Sequence, residues 1–279
     1  MRYQTVCESH CHSDHSRDGF DPILSLYQRA EELGLRTLTI TDHCEINAYL
    51  SEAYRDSAIV SYQDIRTLAA KKKHGPELLA GVEVGQAMQQ VRYANELLDR
   101  CDYDFVLASV HNVRNEADFF ELDYSAVDVD HFLRLYFNEL EEVIAWGRFD
   151  SLAHLTYPLR YITGEHHIPV DLDKYAPQID SILSGLVRTG KALEVNTSGL
   201  RQQIGKTLPH LEIVKRFHDL GGAFVTVGSD AHCAADLAKG IEEGYDLLLE
   251  AGFQEVTVYR RHIPEKIPLK RIVRAVTSD

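Results

Sequence analysis

The chain has 279 residues, 44% of them hydrophobic and 26% charged, the balance of a globular protein with a sizeable core. A formal net charge of −14 with no basic block disfavours nucleic-acid binding, and no apolar run approaches the length of a membrane span. Five cysteines without CxxC spacing argue against a disulfide framework and against a zinc ribbon. The amino terminus, Met1-Arg2-Tyr3-Gln4, lacks the apolar core of a signal peptide, which predicts a cytoplasmic protein.

Strand and helix signals alternate along the sequence. β-rich runs are predicted at residues 6–10, 35–41, 78–84, 105–110, 151–155, 193–196 and 223–227, with 256–259 closing the series. Asp21-Pro22 is a cap and first-turn pair for a helix carrying Ile23, Leu26, Ala30 and Leu33 at helical spacing, and Gly34 stops it. Asp130 is the expected cap of a second helix, with Leu133, Phe137, Leu140 and Ile144 on one face. Pro209 opens a third, burying Leu211, Val214 and Phe217, and residues 235–251 supply a fourth. Repeated βα units imply parallel strands with crossover helices, hence an α/β sheet or barrel. With no linker, low-complexity segment or internal repeat, 1–279 reads as one domain.

Nearly every predicted strand finishes on a residue able to bind metal. The first delivers His10-Cys11-His12, where the two imidazoles project to one side and Cys11 to the other. The next deliver Asp42-His43, Glu83, His111 and His154, and the last barrel strand delivers Asp230-Ala231-His232. In parallel α/β barrels the carboxy-terminal strand ends converge on one face, so these residues are predicted to share a pocket. Imidazole mixed with carboxylate suits zinc, manganese or iron and not calcium, and so many ligands imply a cluster. Asp42 either orients a ligand or caps the following segment. Cys11, Cys44 and Cys233, each directly after a candidate ligand, are expected to pack as small apolar residues.

The ordered set HxH, TDH, lone Glu, two separate histidines and late DxH resembles the polymerase and histidinol phosphatase (PHP) superfamily over essentially the whole chain. That resemblance implies a distorted (β/α) barrel of about seven βα units and a trinuclear site of divalent ions. It assigns His10, His12, Glu83 and Asp230 to one ion, with Glu83 bridging to a second held by His111 and His154. His43 and His232 would hold the third together with Asp18, for which His15 is a competitor. Glu8 stands where many members have Asp, in a supporting position behind the ligands.

Within the superfamily the closer resemblance is to histidinol-phosphate phosphatases, carried by Leu159-Arg160-Tyr161 and by the segment from Leu193 to Arg201. It implies hydrolysis of L-histidinol phosphate, a small phosphorylated substrate, by a metal-bridging hydroxide. Arg160 would grip the phosphate, Asn196, Ser198 and Arg201 would contact substrate, and His15 is a candidate proton donor. Asp14 or Glu45 at the rim could meet the ammonium group. The competing readings are a phosphoesterase of another small ester or an oligonucleotide, a non-catalytic metal-binding PHP domain, and an amidohydrolase-type enzyme.

Overall fold

A computed structural model describes residues 1–272 of the chain. Its centre is a ring of parallel strands: β1 (Cys7–Glu8), β2 (Thr37–Ile40), β4 (Glu77–Gly85), β5 (Phe105–Ser109), β6 (Ser151–Leu152), β7 (Ala192–Asn196) and β8 (Val225–Gly228), hydrogen-bonded in that order. The seam between β8 and β1 is joined by isolated backbone bonds, Ser9 N–H to Val227 O at 3.3 Å, Asp230 N–H to His10 O at 2.7 Å and His12 N–H to Ala231 O at 2.8 Å. The result is a near-closed, seven-stranded parallel barrel flanked by helices, as the βα repeats predict. β5 and β7 are buried along their whole length, which explains their near-continuous apolar sequences.

β3 (His43–Glu45) is the continuation of β2. Both lie on β4 in one register, Ile40 opposite Ala80 and His43 opposite Glu83, with a break at Thr41-Asp42. Gly81 makes the break possible, because a Cβ there would sit 2.7 Å from Thr41 Cγ2 and 2.9 Å from Ile40 O. This bend sends Asp42 and His43 to different places.

The helices are α1 (Ile23–Leu33), α2 (Tyr54–Lys71), α3 (Val91–Arg100), α4 (Val129–Trp146), α5 (Ala176–Thr189), α6 (Leu211–Asp219) and α7 (Ile241–Glu250). The apolar faces predicted for α1, α4 and α6 are the buried ones, but the caps differ. α4 is capped by Asp128, which accepts from His131 N–H at 3.1 Å, while Asp130 lies in the first turn and accepts from Tyr175 Oη. α1 has no side-chain cap; Asp21 instead accepts from Ala234 N–H at 2.7 Å. The fourth predicted helix is shorter than expected, because residues 234–236 form a separate 3-10 turn and Gly240, at φ 82°, precedes α7.

The run at 256–259 does not extend the parallel series. It lies in β9 (Glu255–Arg260), which pairs antiparallel with β10 (Ile263–Pro268). This hairpin meets the amino-terminal ends of the barrel strands. Tyr259 stacks on Phe105 with ring centres 5.4 Å apart, Thr257 Oγ1 accepts from Val225 N–H, and Arg260 pairs with Glu77. The hairpin thus plugs the bottom of the barrel and leaves the carboxy-terminal face open.

Candidate metal centre

On that open face the strand ends bring nine of the predicted residues together. His10 and His12 leave β1 on the same side, their Nε2 atoms 3.0 Å apart, while Cys11 turns away and its thiol donates to Thr39 O. Glu83, fully buried on β4, divides the histidines between its two oxygens. Its Oε2 lies 3.3 Å from His10 Nε2, 3.6 Å from His12 Nε2 and 3.0 Å from His43 Nδ1. Its Oε1 lies 2.9 Å from His154 Nε2 and 3.2 Å from His111 Nε2. Asp230 Oδ1 stands 3.3 Å from His12 Nε2 and 3.7 Å from His232 Nδ1. The rings of His43 and His232 each stack on His12 at 4.2 Å and lie 5.7 Å from one another. Asp18, on the rim and 59% exposed, reaches His232 Nε2 at 3.0 Å and His43 Nε2 at 3.7 Å.

Donor chemistry decides whether these residues suit metal ions. The cluster contains three overlapping groups with donor atoms close enough to share an ion: His10-His12-Glu83, His43-Glu83-His111 and His12-His43-His232. The side chains do not satisfy one another. His154 Nδ1 is buried without a hydrogen-bond partner, His43 Nδ1 and His232 Nε2 have carboxylate oxygens at 3.0 Å (Glu83 Oε2 and Asp18 Oδ2) but not in hydrogen-bonding geometry, and the His10 and His12 Nε2 atoms face each other. Burying nitrogen lone pairs in this way costs stability unless something electropositive receives them. Imidazole and carboxylate in this mixture fit divalent zinc, manganese or iron.

Electrostatics point the same way. Burial, together with the neighbouring His43 and His232, pushes His12 down to about 3. Burial would also lower His10 and His111, but carboxylates outweigh it: Glu194, Asp230 and Glu83 hold His10 well above its ordinary value, and Glu45 and Glu83 raise His111 to about 10. Glu83 and Asp230 are held well below the usual carboxylate range by the imidazoles, against their own burial.

Supporting residues orient the ligands. Glu194 on β7 accepts from His10 Nδ1 at 2.6 Å and from the His154 backbone N–H at 2.8 Å. Asp42 accepts from Ser13 N–H, Ser13 Oγ, Ser16 Oγ and Ser61 Oγ within 2.8 Å, and Ser16 Oγ in turn receives His43 N–H at 3.0 Å and faces His12 Nδ1 at 3.3 Å. Of the two roles open for Asp42, orienting ligands is the one its bonds perform. Glu8 accepts from Ser229 N–H at 2.9 Å and His10 N–H at 3.1 Å, tying together the loops that carry the HxH and DxH pairs. Glu45 Oε1 bonds His111 Nδ1 at 3.0 Å and lies 3.3 Å from His43 Nδ1. Sequence reasoning gave Glu194 no role and gave Glu45 the substrate's ammonium group instead of ligand support; the available signal was an acidic residue inside an otherwise apolar strand for Glu194, and the i+2 relation to His43 for Glu45.

The cluster opens into a cavity of about 620 Å³ whose other walls include Arg160, Tyr157, Tyr161, Asp118, Phe120 and Glu121. Arg160 Nη2 donates to Ser198 Oγ at 2.7 Å and to Asp230 Oδ2 at 3.0 Å, and its guanidinium lies over the Tyr157 ring. Asn196 Nδ2 donates to Asp230 Oδ2 at 3.2 Å, and Asn196 Oδ1 accepts from Ser198 N–H and Oγ. Asn196 and Ser198, predicted to contact substrate, line no part of the cavity and are engaged in holding Asp230. Two further predicted residues stand apart from this cavity. Arg201 donates to Ser229 O at 2.9 Å and lines no part of the cavity. His15 pairs with Asp64 at 3.1 Å in a separate outer groove that also holds Asp14, because the turn at residues 13–19 carries its ring outward.

Comparison with known proteins places this geometry in context. The sequence pattern of the PHP domain matches residues 8–198. The probable histidinol-phosphatase of Thermotoga maritima is 31% identical over 253 residues, 91% of this chain and 95% of that protein. The histidinol-phosphatase of Lactococcus lactis subsp. lactis is 24% identical over 90% of this chain and 93% of its own length. The crystal structure of histidinol phosphate phosphatase from Lactococcus lactis subsp. lactis Il1403, complexed with Zn, L-histidinol and phosphate, shares the fold with a TM-score of 0.79 and 23% identity, covering 94% of this chain and 99% of that one. The chain belongs to the PHP-domain family, in its histidinol-phosphatase branch.

Proposed function

We propose that this protein is a metal-dependent phosphomonoesterase that hydrolyses L-histidinol phosphate to L-histidinol and phosphate, a step in histidine biosynthesis. The observation that carries the reading is a buried His and carboxylate cluster opening beside Arg160 into a cavity also lined by Asp118 and Glu121. In this reading 1–279 is a single catalytic domain working in the cytoplasm; among the described residues no helix is long and apolar enough to cross a membrane.

His10, His12, Glu83 and Asp230 would hold one ion, Glu83, His111 and His154 a second, and His43, His232 and Asp18 a third. Bound ions would supply Lewis acidity to the phosphate ester and to water at neutral pH. The chain's own groups do the rest. Asp230 and Ser198 hold the Arg160 guanidinium in place through Nη2, which leaves Nη1 to donate to phosphate oxygens. Asp118, steadied by Tyr157 Oη at 3.0 Å and Phe120 N–H at 3.0 Å, would face the cationic end of the substrate with Glu121. It takes the part expected of Asp14, which lies in the outer groove, and of Glu45, which is engaged with His111. The aromatic walls of Tyr157 and Tyr161 exclude water around the ester.

The test is phosphate release by the zinc- or manganese-loaded protein on histidinol phosphate and on esters of similar size with uncharged tails. The reading predicts a kcat/KM for histidinol phosphate well above the others, abolished by a chelator, with Asp118→Asn narrowing the preference about tenfold. Equal turnover of all esters would overturn the assigned substrate; no release from the loaded protein would overturn the activity.

A further inference from the structure

β7 is the one barrel strand whose end carries no candidate ligand, yet it brings a fully buried carboxylate to the back of the cluster. Glu194 spends its two oxygens on two different ligands. Oε1 takes His10 Nδ1 at 2.6 Å, and Oε2 takes the backbone N–H of His154 at 2.8 Å. Both contacts matter for geometry. Accepting at Nδ1 fixes the His10 tautomer with its Nε2 lone pair toward Glu83 and His12. His154 has φ 21°, a backbone conformation that a side-chain-bearing residue does not hold without external restraint.

Two neighbours are fitted to this arrangement. A Cβ on Gly228, at the end of β8, would lie 2.2 Å from His10 Cβ and 2.8 Å from Glu194 Oε1, so only glycine lets the ring and the carboxylate meet there. Asn196, two residues along β7, donates through Nδ2 to Glu194 Oε2 at 3.3 Å and to Asp230 Oδ2 at 3.2 Å, linking the clamp to a third ligand.

We propose that Glu194 is a positioning residue that couples the ion site of His10 to the ion site of His154, so that the two sites on either side of Glu83 are built or lost together. It does this as a carboxylate and not as a polar residue of the same size. A glutamine has one acceptor oxygen and would present its NH2 group either to His10 Nδ1–H or to His154 N–H, releasing one of them. The inference rests on the metal-cluster reading, and metal binding can be measured apart from turnover.

The experiment is zinc binding to the full-length apoprotein, by competition with a chromophoric chelator, for wild type, Glu194→Gln and Gly228→Ala. Expected for Glu194→Gln is a loss of affinity of about 10- to 100-fold at the ions that share Glu83. The ion held by His43 and His232 should bind as in wild type, leaving a reduced tightly bound stoichiometry. Proton NMR of the apoprotein should show a downfield His10 Nδ1–H resonance that disappears in Glu194→Gln, a signature that loss of packing in a folded variant would not erase selectively. Gly228→Ala should reproduce the affinity loss while leaving the carboxylate in place, and it serves as the second variant if Glu194→Gln does not fold. Wild-type stoichiometry and affinity in both variants would overturn the proposal. A wild-type protein that binds no zinc would instead overturn the cluster reading on which it rests.

Discussion

At the amino-terminal end of the barrel, buried carboxylates have protein partners: Asp104 takes Ala80 N–H and Arg66, and Asp150 takes Val106 N–H and His262. At the carboxy-terminal end, imidazoles crowd around Glu83 and Asp230, with the His10 and His12 Nε2 atoms facing one another and others set against carboxylates without hydrogen-bonding geometry. Both ends are buried and polar, but only the lower one is complete as protein. The contrast separates a face assembled for stability from a face assembled around something the chain does not itself contain.

Three substitutions test how cleanly the two ends divide these roles. Glu83→Gln should lower kcat/KM on the order of a thousandfold or more, because it removes the one group that faces both sets of histidines. Steady-state assays with metal analysis would show it, and a folded variant retaining most of its turnover would break the division at the top. Phe105→Ala, beneath the barrel, should cost about 3–5 kcal/mol of stability by opening a cavity against Tyr259. Denaturant unfolding should give the same loss with and without chelator, and dependence on chelator would mean that the two ends are coupled. The smallest effect belongs to His262, whose pKa is raised above 6.5 chiefly by its hydrogen bond to Asp150, with burial opposing. A raised histidine adds stability below its ordinary value and loses that contribution as pH rises through the folded value. His262→Gln should thus cost about 0.5 kcal/mol near pH 6, the ring being half exposed, and less near pH 8.

Much of the upper face was legible in the sequence, because an alternating strand turns HxH and DxH into same-side pairs and parallel strands must end together. The parallel α/β architecture and eight of the clustered residues follow from that logic, while Asp18 and Arg160 were indicated only by the resemblance to the PHP superfamily. The supporting carboxylates do not: Glu194 and Glu45 acquire their roles from neighbours 184 and 66 residues away, and no local pattern announces such a partner. Asp42 could be narrowed to two roles from sequence, but choosing between them required seeing Ser13, Ser16 and Ser61 arrive from separate segments. His15 and Arg201 look alike in sequence to residues that do face the cavity, and a turn and a pair of carbonyls decide otherwise. The hairpin at the bottom was misread because a β-rich run states its propensity and not its direction.

The seam between β8 and β1 has a consequence for how the protein matures. The first ligand is residue 10 and the last is residue 232, and they become neighbours only when Asp230 N–H reaches His10 O. A chain emerging from the ribosome can form its βα units one after another, yet the ligand pairs on either side of the seam meet only after β8 has been made. The set Glu83, His111 and His154 lies entirely before β8, whereas any ion site that uses Asp230 or His232 requires that seam to be closed.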